Sequence, residues 1–172
     1  MGRVLVRYDA AVAGGELRAD PAQRAVAERL DRCAAALAER PRKGSVLWRA
    51  FAKRPEPVRG VYLWGGVGRG KSMLMDMFFG CVDGPRKRRV HFHEFMLEVH
   101  DRLRVERSRE VPDPVMPVAD ALADEVRLLA FDEMIVTNSA DAMILSRLFT
   151  RMLSHDVTIV CLLYTSPSPR DS

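Results

Sequence analysis

Gly60-Val61-Tyr62-Leu63-Trp64-Gly65-Gly66-Val67-Gly68-Arg69-Gly70-Lys71-Ser72-Met73-Leu74-Met75-Asp76-Met77-Phe78-Phe79 is the stretch whose reading decides the fold. Within it, Gly65 to Ser72 fits the G-x-x-x-x-G-K-[ST] phosphate-binding pattern. Val61 to Trp64 are β-branched, aromatic or bulky aliphatic, as a short buried strand requires. Ser72 to Phe79 carries no Gly or Pro and reads as a helix. Strand, glycine loop and helix in that order form the context that gives the pattern its chemistry.

That chemistry explains each residue type. Phosphate oxygens must approach backbone N–H groups, so Gly65, Gly66, Gly68 and Gly70 keep side chains out of the way. The helix opening near Gly70 aims its free N–H groups and positive dipole end at the anion. Gly65, Gly66, Val67, Gly68, Arg69, Gly70, Lys71, Ser72 and Met73 form the expected phosphate-binding set. Lys71 brings a point charge to the β- and γ-phosphates. The Ser72 hydroxyl is a hard oxygen ligand of the kind Mg²⁺ prefers.

The second chemical landmark is Val126-Arg127-Leu128-Leu129-Ala130-Phe131-Asp132-Glu133, an apolar strand ending in two carboxylates about sixty residues after the loop. In an α/β sheet, ligands gather at the carboxyl ends of strands. Asp132 is expected to hold Mg²⁺ through water, and Glu133 to polarise the attacking water.

The remaining chain supplies the frame. With 172 residues, 48% of them hydrophobic, one ordinary domain or a domain with a small helical annex fits. A net charge of +4 does not by itself indicate nucleic acid. No apolar run approaches the roughly twenty residues of a membrane helix, and the N-terminus lacks the apolar segment of a secretory signal. Three isolated cysteines, Cys33, Cys81 and Cys161, suit a reducing compartment. A cytoplasmic protein is expected.

Asp20-Pro21 marks a helix start, with Val26, Leu30, Cys33 and Leu37 as its apolar stripe to about Glu39. Val46 to Lys53 reads as a shorter helix and Arg54 to Pro57 as a linker, so residues 1–59 form a small helical region. Gly80, Gly84 and Pro85 are expected to break the chain. Arg86-Lys87-Arg88-Arg89 reads as a solvated loop entering a strand, with a contact to an acidic partner or nucleic acid as its rival. Val90 to Phe95 is expected as a strand that places His91 and His93 on one face, a spacing that fits a structural role better than a metal site. A helix from Met96 to Arg104, an exposed loop from Ser108 to Pro117 and a short helix from Val118 to Asp124 follow. Asn138 or Ser139 caps a helix to Leu153, striped by Ile144, Leu145, Leu148, Phe149 and Met152. Val157 to Val160 begins a fourth strand.

On these residues the chain resembles the ZapE cell-division ATPases and their mitochondrial lactation-elevated-type relatives, all AAA+ P-loop proteins. The likeness rests on Gly60 to Phe79, on Arg89-Val90-His91-Phe92-His93-Glu94-Phe95-Met96 with Val99-His100, on Leu128 to Glu133, and on Ala140 to Leu145. Asp20-Pro21-Ala22-Gln23 adds a weaker match. Met134, Asn138 and Ser139 depart from the commonest form without touching a phosphate or Mg²⁺ contact.

The resemblance implies a three-layer α/β core with a parallel sheet of order 5-1-4-3-2. It also implies hydrolysis of ATP with Mg²⁺, homo-oligomers, and a role at the division septum through a tubulin-like ring protein. The core would span residues 60–160 and be incomplete at its C-terminus, without the family's polar sensor and arginine finger. Residues 161–172 look like a translated transposase-type sequencing adapter. Gln23, from its place upstream of the core, is a candidate for the adenine edge. A helicase-loader-type module acting on nucleic acid or a DNA-bound partner is the alternative. A small-molecule kinase is disfavoured by Glu133, because a water-activating group is counterproductive where water must be excluded; a non-catalytic interaction fragment is the last alternative.

Overall fold

A computed structural model of the chain describes residues 2–39, 61–65, 70–84, 86–132 and 134–164, with the backbone alone at 61–65 and 162–164. The elements are α1 (Arg3–Ala13), α2 (Pro21–Glu39), β1 (Val61–Gly65), α3 (Lys71–Cys81), β2 (Lys87–His91), α4 (Phe92–Ser108), α5 (Val115–Glu125), β3 (Leu128–Asp132), α6 (Ser139–Ser154) and β4 (Thr158–Tyr164). The four strands form one sheet of order β1-β4-β3-β2, every pair parallel. The fourth strand therefore lies between the first and third, in the slot expected of it.

Helices cover both faces of the sheet, and strand alternation sorts the core between them. Leu128, Ala130 and Val160 point toward α1, α2 and α3. Leu129, Phe131, Ile159 and Cys161 point toward α4, α5 and α6. Burial on both faces explains why β3 reads as an unbroken apolar run. Phe131 lies at the centre of the second layer, edge-on to Phe95 at 4.9 Å and 5.7 Å from Phe149.

On the first layer, α1 and α2 pack on α3. Val4, Tyr8, Ala27 and Leu30 share a core with Leu74, Met75 and Phe78. The α2 start forms as expected: Asp20 Oδ1 accepts from Ala22 N at 2.8 Å, and Pro21 occupies the first turn, where no N–H partner is lost. The stripe begins at Ala27, which is buried, whereas Val26 is half-buried. Helix α1 escaped the sequence reading. It is tied down by Val4 N donating to Asp31 Oδ1 at 2.8 Å and by the Tyr8 hydroxyl donating to the Asp20 carbonyl at 3.2 Å.

Several boundaries move. Helix α3 runs through Gly80 to Cys81; a Cβ on Gly80 would lie 2.7 Å from Arg7 Nη1, so the glycine admits a close approach instead of breaking the helix. Strand β2 ends at His91, and α4 starts at Phe92, not Met96. Buried Phe92, Phe95, Met96, Val99 and Leu103 fall at helical spacing, and this period outweighs the β propensity of Val90 to Phe95. Helix α5 begins at Val115, with Pro117 in a first turn that can spare its N–H. Asn138 caps α6, accepting from Asp141 N at 2.7 Å. The expected helix at Val46 to Lys53 and the linker at Arg54 to Pro57 lie outside the described residues.

The basic run is not a solvated loop. Lys87 to Arg89 belong to β2, and the run's side chains alternate between the two helical layers. Arg86 donates to the Asp124 carbonyl at the end of α5, and Arg88 pairs with Glu98 of α4. On the other face, Lys87 Nζ donates to the Phe79 and Val82 carbonyls at 2.7 and 2.8 Å, at the α3 C-terminus. Arg89 pairs with Asp132 and Asp76. Two cations thus meet the negative ends of helix dipoles, and two meet carboxylates.

Candidate nucleotide site

Parallel pairing brings the carboxyl ends of all four strands to one edge of the sheet, where an α/β fold collects its ligands. Phe131 and Tyr62 both pair with Cys161, so Asp132 is level with Leu63, and the chain leaves β1 at Gly65 just beyond. Strand β4 lies between them, which sets β1 and β3 two strand spacings, or about 10 Å, apart. Gly70, Lys71 and Ser72 come next along the chain as the opening of α3. The structure therefore gathers Gly65, Gly70, Lys71, Ser72 and Asp132 at one end of the sheet. Met73 lies half-buried in the same first turn. Gly66, Val67, Gly68, Arg69 and Glu133 lie outside the described residues.

Helix α3 has no side-chain cap at Gly70. Its first-turn N–H groups and dipole end are the part of the helix that suits an anion. Burial lowers the Lys71 ammonium below its ordinary pKa of 10.5. A charge that is costly to desolvate becomes favourable beside a polyphosphate. The Ser72 hydroxyl is exposed.

Two packing observations concern the Gln23 carboxamide. Gln23 of α2 lies against Gly70, and a Cβ there would stand 2.4 Å from Gln23 Nε2. The crowding falls on the end of a flexible side chain, so a larger residue at Gly70 would displace the Gln23 carboxamide. Gln23 Oε1 is buried with no hydrogen-bond partner, and a buried acceptor left unsatisfied costs roughly 1–3 kcal/mol. A ligand N–H would relieve that cost. The oxygens of Ser72 and Asp132 also form a donor set suited to Mg²⁺. The residues present thus fit both a nucleotide and its ion.

Asp132 is held firmly. Arg89 Nε and Nη2 donate to its two oxygens at 2.7 and 2.9 Å, a bidentate fork, while Nη1 reaches Asp76 of α3. These contacts raise the Arg89 pKa above its ordinary value, the hydrogen bond to Asp132 contributing most. Neither Arg89 nor Asp76 stood out as a site residue in the sequence. The signal was present as Lys87, Arg88 and Arg89 in succession, but which of them faces Asp132 is legible only once the run is read as strand.

His91 and His93 do not share a strand face, because His91 ends β2 and His93 lies in α4; both are exposed. Among the described residues no cluster of three or more His, Cys, Asp or Glu side chains could hold a metal ion. No helix among them is long and apolar enough to cross a membrane.

Against known families, the model of the AFG1-like ATPase family matches residues 3–170. The chain belongs to the AFG1-like ATPase family. Its relatives include the cell division protein ZapE of Escherichia coli strain K12, 44% identical over 115 residues, which covers 67% of this chain and 29% of that protein. Lactation elevated protein 1 homolog B of Danio rerio is 42% identical over 119 residues, covering 63% of this chain and 24% of its own. An uncharacterized protein of Schizosaccharomyces pombe is 34% identical over 148 residues, covering 73% and 32%. The chain thus spans less than a third of the length of these AFG1-like relatives. No solved structure matches it.

Proposed function

We propose that the protein carrying this chain hydrolyses ATP with Mg²⁺ and couples the turnover to a protein partner, as a ZapE-type member of the AFG1-like family. The observation that carries the reading is the convergence of Gly70, Lys71, Ser72 and Asp132 at the carboxyl edge of a parallel sheet, with an orphaned Gln23 acceptor beside them. In this reading the Gly65–Gly70 backbone cradles the phosphates and Lys71 draws the β- and γ-phosphate charge. Gln23 offers its carboxamide to the adenine edge. Ser72 and Asp132 hold the ion, Asp132 through water. Mg²⁺, when bound, neutralises charge developing on the phosphate oxygens. Glu133 orients the attacking water and accepts its proton.

The similarity to ZapE, a cell division protein, supports a role in cell division; to that role we add, as our own reading, a division-ring protein of the tubulin-like class as the partner, a cytoplasmic location and a homo-oligomeric assembly. A nucleic-acid partner is the weaker reading, because the cations of the basic run are engaged within the fold. We read residues 1–59 as a helical annex, 60–160 as the core and 161–172 as a non-native tail, although its first residues extend β4 to Tyr164 and the family model matches through residue 170. The genomic sequence beyond Val160 tests that division: a sensor strand and an arginine finger encoded there support it.

Phosphate release by the intact parent protein tests the activity. Lys71→Ala should abolish nucleotide binding. Glu133→Gln should retain binding and lose turnover. Unchanged turnover in both variants would sink the proposal.

A further inference from the structure

Arg89 stands where the two halves of the candidate site meet. It lies on β2, with its side chain on the face covered by α3, and it is largely withdrawn from solvent along with Asp132, their side chains being 24% and 18% exposed. Two of its nitrogens grip both oxygens of Asp132, at 2.7 and 2.9 Å. The third reaches Asp76, four residues after Ser72 in α3. Residues at i and i+4 share a helix face. The helix face that Arg89 holds through Asp76 is therefore the face that carries Ser72.

We propose that Arg89 is a positioning residue for the magnesium–nucleotide site, presetting Ser72 and Asp132 as a pair of oxygen donors. The inference rests on the reading of Ser72 and Asp132 as the ion-holding residues. A carboxylate has about four lone-pair directions, and the guanidinium fork takes two of them. The remaining two are left for the ion's water shell, with the carboxylate rotamer already fixed. The arrangement parallels the outer-shell partners that orient metal ligands elsewhere. It also links the phosphate-loop helix to the acidic strand, so movement of one is felt at the other. A lysine would preserve the charge but cannot span Asp132 bidentately while reaching Asp76.

The test is a Mg²⁺ titration of fluorescent ATP-analogue binding in the intact parent protein. It compares wild type, Arg89→Ala, Arg89→Lys and Asp76→Asn, with binding in EDTA and thermal stability recorded for each. Affinity in EDTA should stay within about twofold of wild type, because the phosphate cradle is untouched. The Mg²⁺ concentration at half-effect should rise about tenfold or more in Arg89→Ala, the scale of outer-shell changes at metal sites. Arg89→Lys should fail to restore it, and Asp76→Asn should raise it by a smaller factor.

A half-effect concentration unchanged in Arg89→Ala, with only stability lost, would make the bridge structural and overturn the proposal. A lower concentration would overturn it too, by making Arg89 a competitor of the ion. Asp76 is exposed, so Asp76→Asn should fold even if the arginine variants do not, and an unchanged value there overturns the helix link. Lys71→Ala separates the two readings: if it leaves binding in EDTA intact, the phosphate-loop assignment itself fails.

Discussion

The Gln23 carboxamide occupies an unusual position for an amide in a helix that otherwise packs aliphatically. Its nitrogen end crowds Gly70, and its oxygen is buried without a donor. An amide in that state gains most from a partner that offers a donor and an acceptor side by side, as the N6 and N7 edge of adenine does. Such a bidentate contact is worth about 1–3 kcal/mol of discrimination between bases, so Gln23→Ala should reduce the preference for ATP over GTP by about tenfold. Competition binding with the two nucleotides measures it, and an unchanged ratio would remove Gln23 from base recognition. Phe131 carries the contrasting residue-scale role. It is fully buried between Phe92, Phe95 and Phe149, and truncating such a ring costs about 3–5 kcal/mol. Phe131→Ala should shift the denaturant midpoint sharply, with the m-value unchanged if the fold is retained.

At the scale of elements, β2 and α4 are joined by a charge network instead of a continuous apolar seam. Arg88 and Arg102 both reach Glu98, and Arg102 also reaches Glu125 of α5 at 2.8 Å. The hydrogen bond from Arg88 holds the Glu98 carboxyl below its ordinary 4.5, with the charges of Arg88 and Arg102 assisting. A depressed folded-state pKa means stability that is present above 4.5 and lost as pH falls through the folded value. Glu98→Gln should therefore unfold more easily than the parent at neutral pH, and the deficit should shrink as pH falls through the folded-state value of the parent carboxyl. Equal midpoints at neutral pH would show the network to be worthless there. This same region marks the limit of sequence legibility. Strand β3, helix α6 and the Asp20 cap declare themselves through apolar runs and caps. Strand β2 does not, because Arg86 to Arg89 present charge on both faces, and only the layers above and below supply their partners. Helix α1 was hidden for a related reason: its buried side is small, and its anchors, Asp31 and Asp20, belong to α2 and its cap. The place of Asp132 at the end of β3 could be read from the apolar run alone. The clamp on Asp132 could not, since it joins residues 43 positions apart.

On the scale of the whole molecule, the sheet order leaves β1 with a single strand neighbour, β4, among the described residues. Among the described residues nothing pairs with the other side of β1, and such an edge offers a row of backbone N–H and C=O groups to any other chain. The 172-residue chain should therefore associate as its concentration rises, with thioflavin-type dye binding or light scattering increasing together with the sedimentation coefficient. A longer chain that supplies a strand alongside β1 should stay dispersed under the same conditions. The location of the edge also links assembly to chemistry. Strand β1 ends at Gly65 and Asp132 lies two strands inward, so a strand added beside β1 would abut the candidate site. Saturating Mg²⁺ and ATP should correspondingly slow the association of the 172-residue chain, because a ligand that binds the folded monomer draws population toward it. Association that proceeds at the same rate with and without nucleotide would separate the edge from the site.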